Sequence, residues 1–218
     1  MEECSMHCLI TRVVVLLFAL VVTASVPAYA QDATPAGDRD VPDPSECTVE
    51  PGTAEEVIAL FREVAATPAS TTPGAADPPP FVQPEGEPAD AETAAAIEAA
   101  NRELLACTNA YGFLGLVAVS TDDHIRFVLA YDIASGMTEE SIAEFLFDTP
   151  EPSTPEQSVA LVDVRDVTVL EDGRIGAVVV GDEPGVGDVT LYFIFVEENG
   201  HYLLDEQFDL PADGTPVP

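Results

Sequence analysis

Three groups of residues in this sequence are of types that do acid/base or charge chemistry, and a cysteine pair adds a fourth. Asp122, Asp123 and His124 are consecutive, and carboxylates beside an imidazole are ordinary components of proton transfer. Their local reading is plainer: Thr121 caps a helix, the two aspartates meet its positive end, and His124 is expected to be exposed. Asp163 and Arg165 are one residue apart in an otherwise apolar run. A regular strand projects both to the face of Leu161 and Val167, either lining a pocket mouth or pairing with neighbouring strands on a solvent-facing patch. His201 and Asp205 share a face of the last alternating segment, placed either for a hydrogen-bonded dyad or as plain surface residues near a hairpin. Asp163, His201 and Asp205 are thus the strand-borne candidates for acid/base work. Tyr111, Tyr131 and Arg165 are the candidates for touching a ligand.

No HExxH, GxSxG, GxGxxG or P-loop pattern occurs. The acidic segments DEPGVGD and DRDVPD lack the ligand spacing of a calcium loop, and the cysteines lack the neighbours a zinc site needs, so no metal and no cofactor are expected. The formal net charge is -33, from 40 Asp and Glu against 7 bases, all arginine. A surface this negative repels phosphate backbones, which disfavours nucleic-acid binding, lysine-based phosphate chemistry and adsorption to anionic lipid. The same acidity serves solubility and hydration outside the cell.

The elements that must position these groups begin after an address. Residues 1–30 carry Arg12, the apolar run Val13 to Val22, and the small-residue exit Ala28-Tyr29-Ala30, the three-part layout of a secretory signal. Ten apolar residues extend about 15 Å as a helix, half of the roughly 30 Å hydrocarbon core, which argues against an uncleaved anchor. Cys4 and Cys8 precede the apolar run, where a lipoprotein cysteine would follow it. Cleavage after Ala30 predicts a secreted, extracellular product with no stable membrane anchor. Cys47 and Cys107 then remain, an even count that suggests one disulfide in an oxidising compartment, against two independent buried thiols.

Residues 31–46 contain three prolines and little apolar surface, so a disordered leader is expected. Thr53 and Glu56 form a capping-box pair ahead of Val57, Ile58, Phe61 and Val64 at helical spacing. Residues 67–89 read as a proline-rich insert. Asp90 caps the longest helix, along which Ile97, Ala100, Leu104, Thr108 and Tyr111 form a stripe, and Gly112 ends it. Two short helical pieces and a helix from Thr138 follow. The period then changes to two over Ser158 to Leu170, Arg174 to Gly181, Asp188 to Val196 and His201 to Asp209, with Asp172-Gly173 and Asn199-Gly200 as hairpin turns. Residues 210–218 are expected to be a flexible tail. Helices followed by a four-strand meander predict an α+β fold, with N-terminal helices packed on a curved antiparallel sheet.

Two stretches resemble the nuclear transport factor 2-like superfamily, which includes SnoaL-like polyketide cyclases and ketosteroid isomerases. The first, AAIEAANRELLACTNAYGFLGLVAVSTDDHIRFVLA, is similar to the family's long helix, its asparagine-containing turn and a short helix near paired aspartates. The second, VTVLEDGRIGAVVV with LYFIFVEENGHYLLDEQFD, is similar to its closing strands, with Tyr202 where an aromatic often follows the last hairpin turn. The resemblance implies a single cone-shaped, cystatin-like domain over residues 47–209. It also implies either of two functions. One is a non-catalytic binding or interaction module, holding a small apolar ligand in the cone or forming a homodimer. The other is a cyclase or isomerase in which a carboxylate or an Asp/His pair inside the cone abstracts a proton. Fold alone does not choose between them.

Overall fold

The computed structural model describes residues 40–67, 81–147 and 152–210. The signal segment, the leader before Asp40, most of the proline-rich insert and the tail beyond Leu210 lie outside the described residues.

The helical half forms where the capping chemistry starts it. Thr53 accepts from the Glu56 amide while the Glu56 side chain accepts from the Thr53 amide, opening α1 (Ala54–Ala66). Asp90 caps α2 (Ala91–Tyr111) through the Thr93 amide. Gly112, at φ 59°, ends α2 and begins α3 (Phe113–Ala118). Thr121 caps α4 (Asp122–Ala134), and α5 (Glu139–Phe147) follows Thr138. α3 folds back tightly on α2. A Cβ at Gly115 would stand 2.0 Å from the Cys107 carbonyl oxygen, so only glycine permits this approach. Val57, Ile58 and Phe61 of α1, Ile125 and Leu129 of α4 and Ile142 and Leu146 of α5 close a helical core.

The second half is an antiparallel sheet in the order β1-β2-β3-β4-β5, formed by β1 (Gly86–Pro88), β2 (Ala160–Leu170), β3 (Ile175–Glu183), β4 (Gly187–Glu198) and β5 (His201–Asp209). Its last four strands are the expected meander, turned at Gly173 (φ 88°) and at Asn199-Gly200 (φ 53° and 82°). β3 and the middle of β4 are buried on both faces. One face carries Val178, Tyr192 and Ile194, covered by Phe81, Phe208, Leu170 and Leu210. The opposite face carries Ala177, Val179, Phe193 and Phe195. There, Val159 packs against the position of Gly181, its carbonyl accepting from the Asn109 side-chain amide of α2 and its N–H donating to Asn109 Oδ1, which marks it as the side turned to the helices.

The Cys47–Cys107 disulfide joins the lead-in to α2. Around it the boundaries differ from those expected. Residues Asp40–Glu46 are bound into the fold rather than disordered: Arg102 holds Asp40 at 2.7 Å and Glu46 at 3.0 Å, Pro42 is fully buried, and the Leu161 amide donates to the Asp40 carbonyl. The end of the proline-rich insert is likewise structural, since Phe81 stacks on Phe208 at 4.1 Å and Gly86–Pro88 pairs with Leu170–Thr168. Leu210, placed in the tail by the sequence, is buried and donates to the Thr190 carbonyl.

Candidate functional site

The main polar cluster sits where α4 meets β5. A bulge between Ile194 and Phe195 shifts the β4–β5 register at Asp205, freeing that side chain from the regular alternation. Asp205 accepts from the Thr121 hydroxyl at 2.9 Å and from Arg174 Nη1 at 2.8 Å. Arg174 also grips Glu206 and, through Nε at 2.8 Å, Asp172 of its own hairpin. The Thr121 amide donates to the Leu204 carbonyl and the Leu204 amide to the Val119 carbonyl, so the segment before α4 runs beside β5 as a short extra pairing.

His124 lies within this junction and is only 3% exposed, which corrects the expectation of a surface histidine. The reason is helical phase. Ile125 and Leu129 point into the helical core, and His124 and Val128 lie on the adjoining stripe, also buried. Burial pushes the imidazole down to about 4, although Asp205 and Glu206 pull the other way. His124 is therefore neutral at ordinary pH. Asp122 and Asp123 remain exposed beside Arg126, as first-turn residues should.

The other sequence candidates are not brought together. Asp163 pairs with Arg165 at 3.2 Å, and both are largely exposed. Bulges between Leu161 and Asp163 and between Arg165 and Thr168 break the period-two phase, so Leu161 is buried while Asp163 is not, and the expected shared face with Leu161 and Val167 does not form. Asp166, at φ 53°, sits within the second irregularity. His201 is exposed opposite Glu198, and the hydrogen bonds of Asp205 run to Thr121 and Arg174 instead of a His201 dyad. Tyr111 and Tyr131 are half-buried on α2 and α4.

Two carboxyls that the sequence reading passed over stand out by burial. Asp132 on α4, next to Tyr131, is half-buried, and desolvation raises its carboxyl to about 6, the range of a general acid or base at neutral pH. Glu183 closes β3, is 4% exposed, and its Oε2 has no hydrogen-bond partner; burial pushes this carboxyl up as well. The signal for Glu183 is the alternation Ile175, Ala177, Val179, Gly181, Glu183, which runs one step past the strand end at Gly181 that the sequence pattern predicts. Among the described residues, no group of three or more His, Cys, Asp or Glu side chains is placed to hold a metal ion. No helix among them is long and apolar enough to cross a membrane.

No family model, curated protein or solved structure matches this chain.

Proposed function

We propose that the chain is an exported, non-catalytic module of nuclear transport factor 2-like shape, whose helices and curved sheet form a cone that holds a small apolar ligand. The observation that carries this reading is the state of the strand-borne acid/base candidates. Asp163 is occupied by Arg165, Asp205 by Thr121 and Arg174, and His201 stands exposed at a hairpin. None is left buried and free to move a proton. The cone is supported by the bulges in β2 and between β4 and β5, which bend strands, and by α2 approaching the flanking strands β2 and β5 more closely than the central pair. Export is supported by the disulfide, which persists in oxidising compartments.

Native mass spectrometry of protein collected from the culture medium tests the reading. A retained small molecule, or uptake of an apolar probe at one per chain, is the expected result. A ligand-free dimer replaces the carrier reading with an interaction role, and an empty monomer that takes up no probe overturns it. Intact mass gives the processing site: a chain beginning at Gln31 is expected, and a cell-bound species retaining Met1 to Ala30 overturns export.

The cyclase or isomerase reading is favoured by one observation, the half-buried carboxyl of Asp132, raised to about 6 by desolvation. It requires exchange of the α-hydrogens of a cyclic ketone with deuterated water that the native chain catalyses and Asp132→Asn does not. Equal exchange with and without protein removes it.

A further inference from the structure

The chain has no lysine, and its five arginines among the described residues are all engaged by carboxylates. Arg62 pairs with Glu139, Arg102 with Asp40 and Glu46, Arg126 with Asp123 and Glu63, Arg165 with Asp163 and Asp166, and Arg174 with Asp172, Asp205 and Glu206. A carboxylate buried elsewhere among these residues therefore pairs with none of these five arginines. Glu183 is such a group: 4% exposed, with Oε2 unpartnered.

Its place in the fold gives it a direction. The β3–β4 register is unbroken from Ile175 to Glu183, so Glu183 stands on the same face as Ala177, Val179 and Gly181. At Gly181 that face meets Val159 and Val189, and Val159 is tied to Asn109 of α2. Glu183 thus lies at one end of the helix-facing side, two residues beyond the position that meets those valines. An ionised carboxylate in that position is costly unless neutralised, and no arginine among the described residues pairs with it. The net charge of -33 raises the local concentration of cations. A hard metal ion asks for six to eight oxygen ligands, and among the described residues Glu183 belongs to no group of three candidate ligands. A single carboxylate at the end of a strand face that carries Ala177 and Val179 matches an ammonium carried on an apolar body.

We propose that Glu183 is the counter-ion of the ligand site on the helix-facing side of the sheet, and that the ligand is an apolar molecule bearing a protonated amine. This rests on the ligand-holding reading above and adds the chemical class.

Fluorescence titration with two dansyl probes tests it, one ending in a ten-carbon primary amine and the other in the corresponding alcohol. The amine is expected to bind at least tenfold more tightly at pH 7, with the preference persisting in 0.5 M salt because a buried pair is weakly screened. Glu183→Gln should abolish the preference by weakening the amine far more than the alcohol, while Glu198→Gln, an exposed control on β4, should leave the preference as it is. Thermal melting checks that the Glu183→Gln protein is folded. A preference that survives Glu183→Gln, or that salt removes, is general attraction to an acidic surface and overturns the assignment. Equal binding of the two probes also overturns it, leaving the ligand-holding reading intact. Binding of neither probe overturns both.

Discussion

His124 offers a direct test of the α4–β5 junction, because its burial links stability to pH. The imidazole titrates near 6.5 in an unfolded chain and at about 4 in the fold. A histidine with a depressed folded-state value leaves the unfolded chain binding more protons between those values, so stability is complete above pH 6.5 and falls as pH drops towards 4. At pH 5, roughly 1.5 pH units of the unfolded-state titration have been crossed, each worth about 1.4 kcal/mol, so the histidine alone removes about 2 kcal/mol. Asp132 acts in the opposite sense. Its folded value of about 6 lies above the ordinary 3.8, so its contribution is present at low pH and is lost as pH rises through 6. The native protein should therefore show a shallow pH dependence between 4 and 6, with two opposing titrations inside it. His124 makes no side-chain hydrogen bond in the structure, so His124→Leu removes its titration without leaving a polar partner unsatisfied. Urea unfolding of both proteins from pH 7 to 4.5 should give stabilities that are close at pH 7. At pH 5 the variant should be ahead by about 2 kcal/mol relative to that starting difference. Protonation of surface carboxylates is common to both and cancels in the comparison. Parallel curves, or an imidazole resonance titrating near 6.5 in the folded protein, would refute the burial argument.

Other parts of the structure give shorter tests. Replacing Cys47 and Cys107 together by Ala should cost about 4 kcal/mol for a closed loop of this length, and peptide mapping without reductant should recover the two cysteines in one cross-linked fragment. Gly176→Ala places a Cβ 1.9 Å from the Tyr192 hydroxyl oxygen, so it should destabilise by about 1–3 kcal/mol. Tyr192→Phe should recover part of that loss, and a Gly176→Ala protein as stable as native would contradict the packing described. Arg174→Gln strands Asp205 and Glu206; because the arginine and Asp205 are both mostly buried, a loss of about 1–2 kcal/mol is expected. A double-mutant cycle with Asp205→Asn should show that the two changes are not additive.

The helix starts and the strands of the meander were legible because their causes are local. Thr53, Asp90 and Thr121 each cap through a hydrogen bond two or three residues away, and Asp172-Gly173 and Asn199-Gly200 supply the backbone angles their turns need. What stayed hidden depends on partners distant in sequence. Gly86-Glu87-Pro88 carries no strand pattern; it is extended because Val169 and Leu170 offer a free edge. Gly86 fits there because a Cβ would stand 2.6 Å from the Val169 carbonyl oxygen. Residues 40–46 look like leader in composition, yet Arg102, fifty-six positions beyond Glu46, holds them. The face of Asp163 was misread because period-two counting assumes an unbroken ladder, and the bulges that break it answer to the register with β3.

The candidate site was harder to read for a reason rooted in composition. With 40 acids and 7 bases, pairing of carboxylates is decided by which of them an arginine reaches, and proximity in sequence predicts this poorly. Arg174 takes Asp172 from its own turn but also Asp205 and Glu206 from β5, which commits the carboxylate that one of the two sequence readings paired with His201. In so acidic a chain, an unpaired carboxylate on the surface carries no information, since water and counter-ions satisfy it. An unpaired carboxyl removed from water is different, because its charge has to be met by a proton or by a ligand. Glu183 meets that condition and the half-buried Asp132 meets it in part, and they divide the two functional readings between them. A half-buried carboxyl near 6 suits proton transfer, whereas a nearly inaccessible one at the end of an apolar strand face suits a fixed counter-ion. Measuring Asp132→Asn and Glu183→Gln on the same protein therefore decides which kind of work the interior of this fold performs.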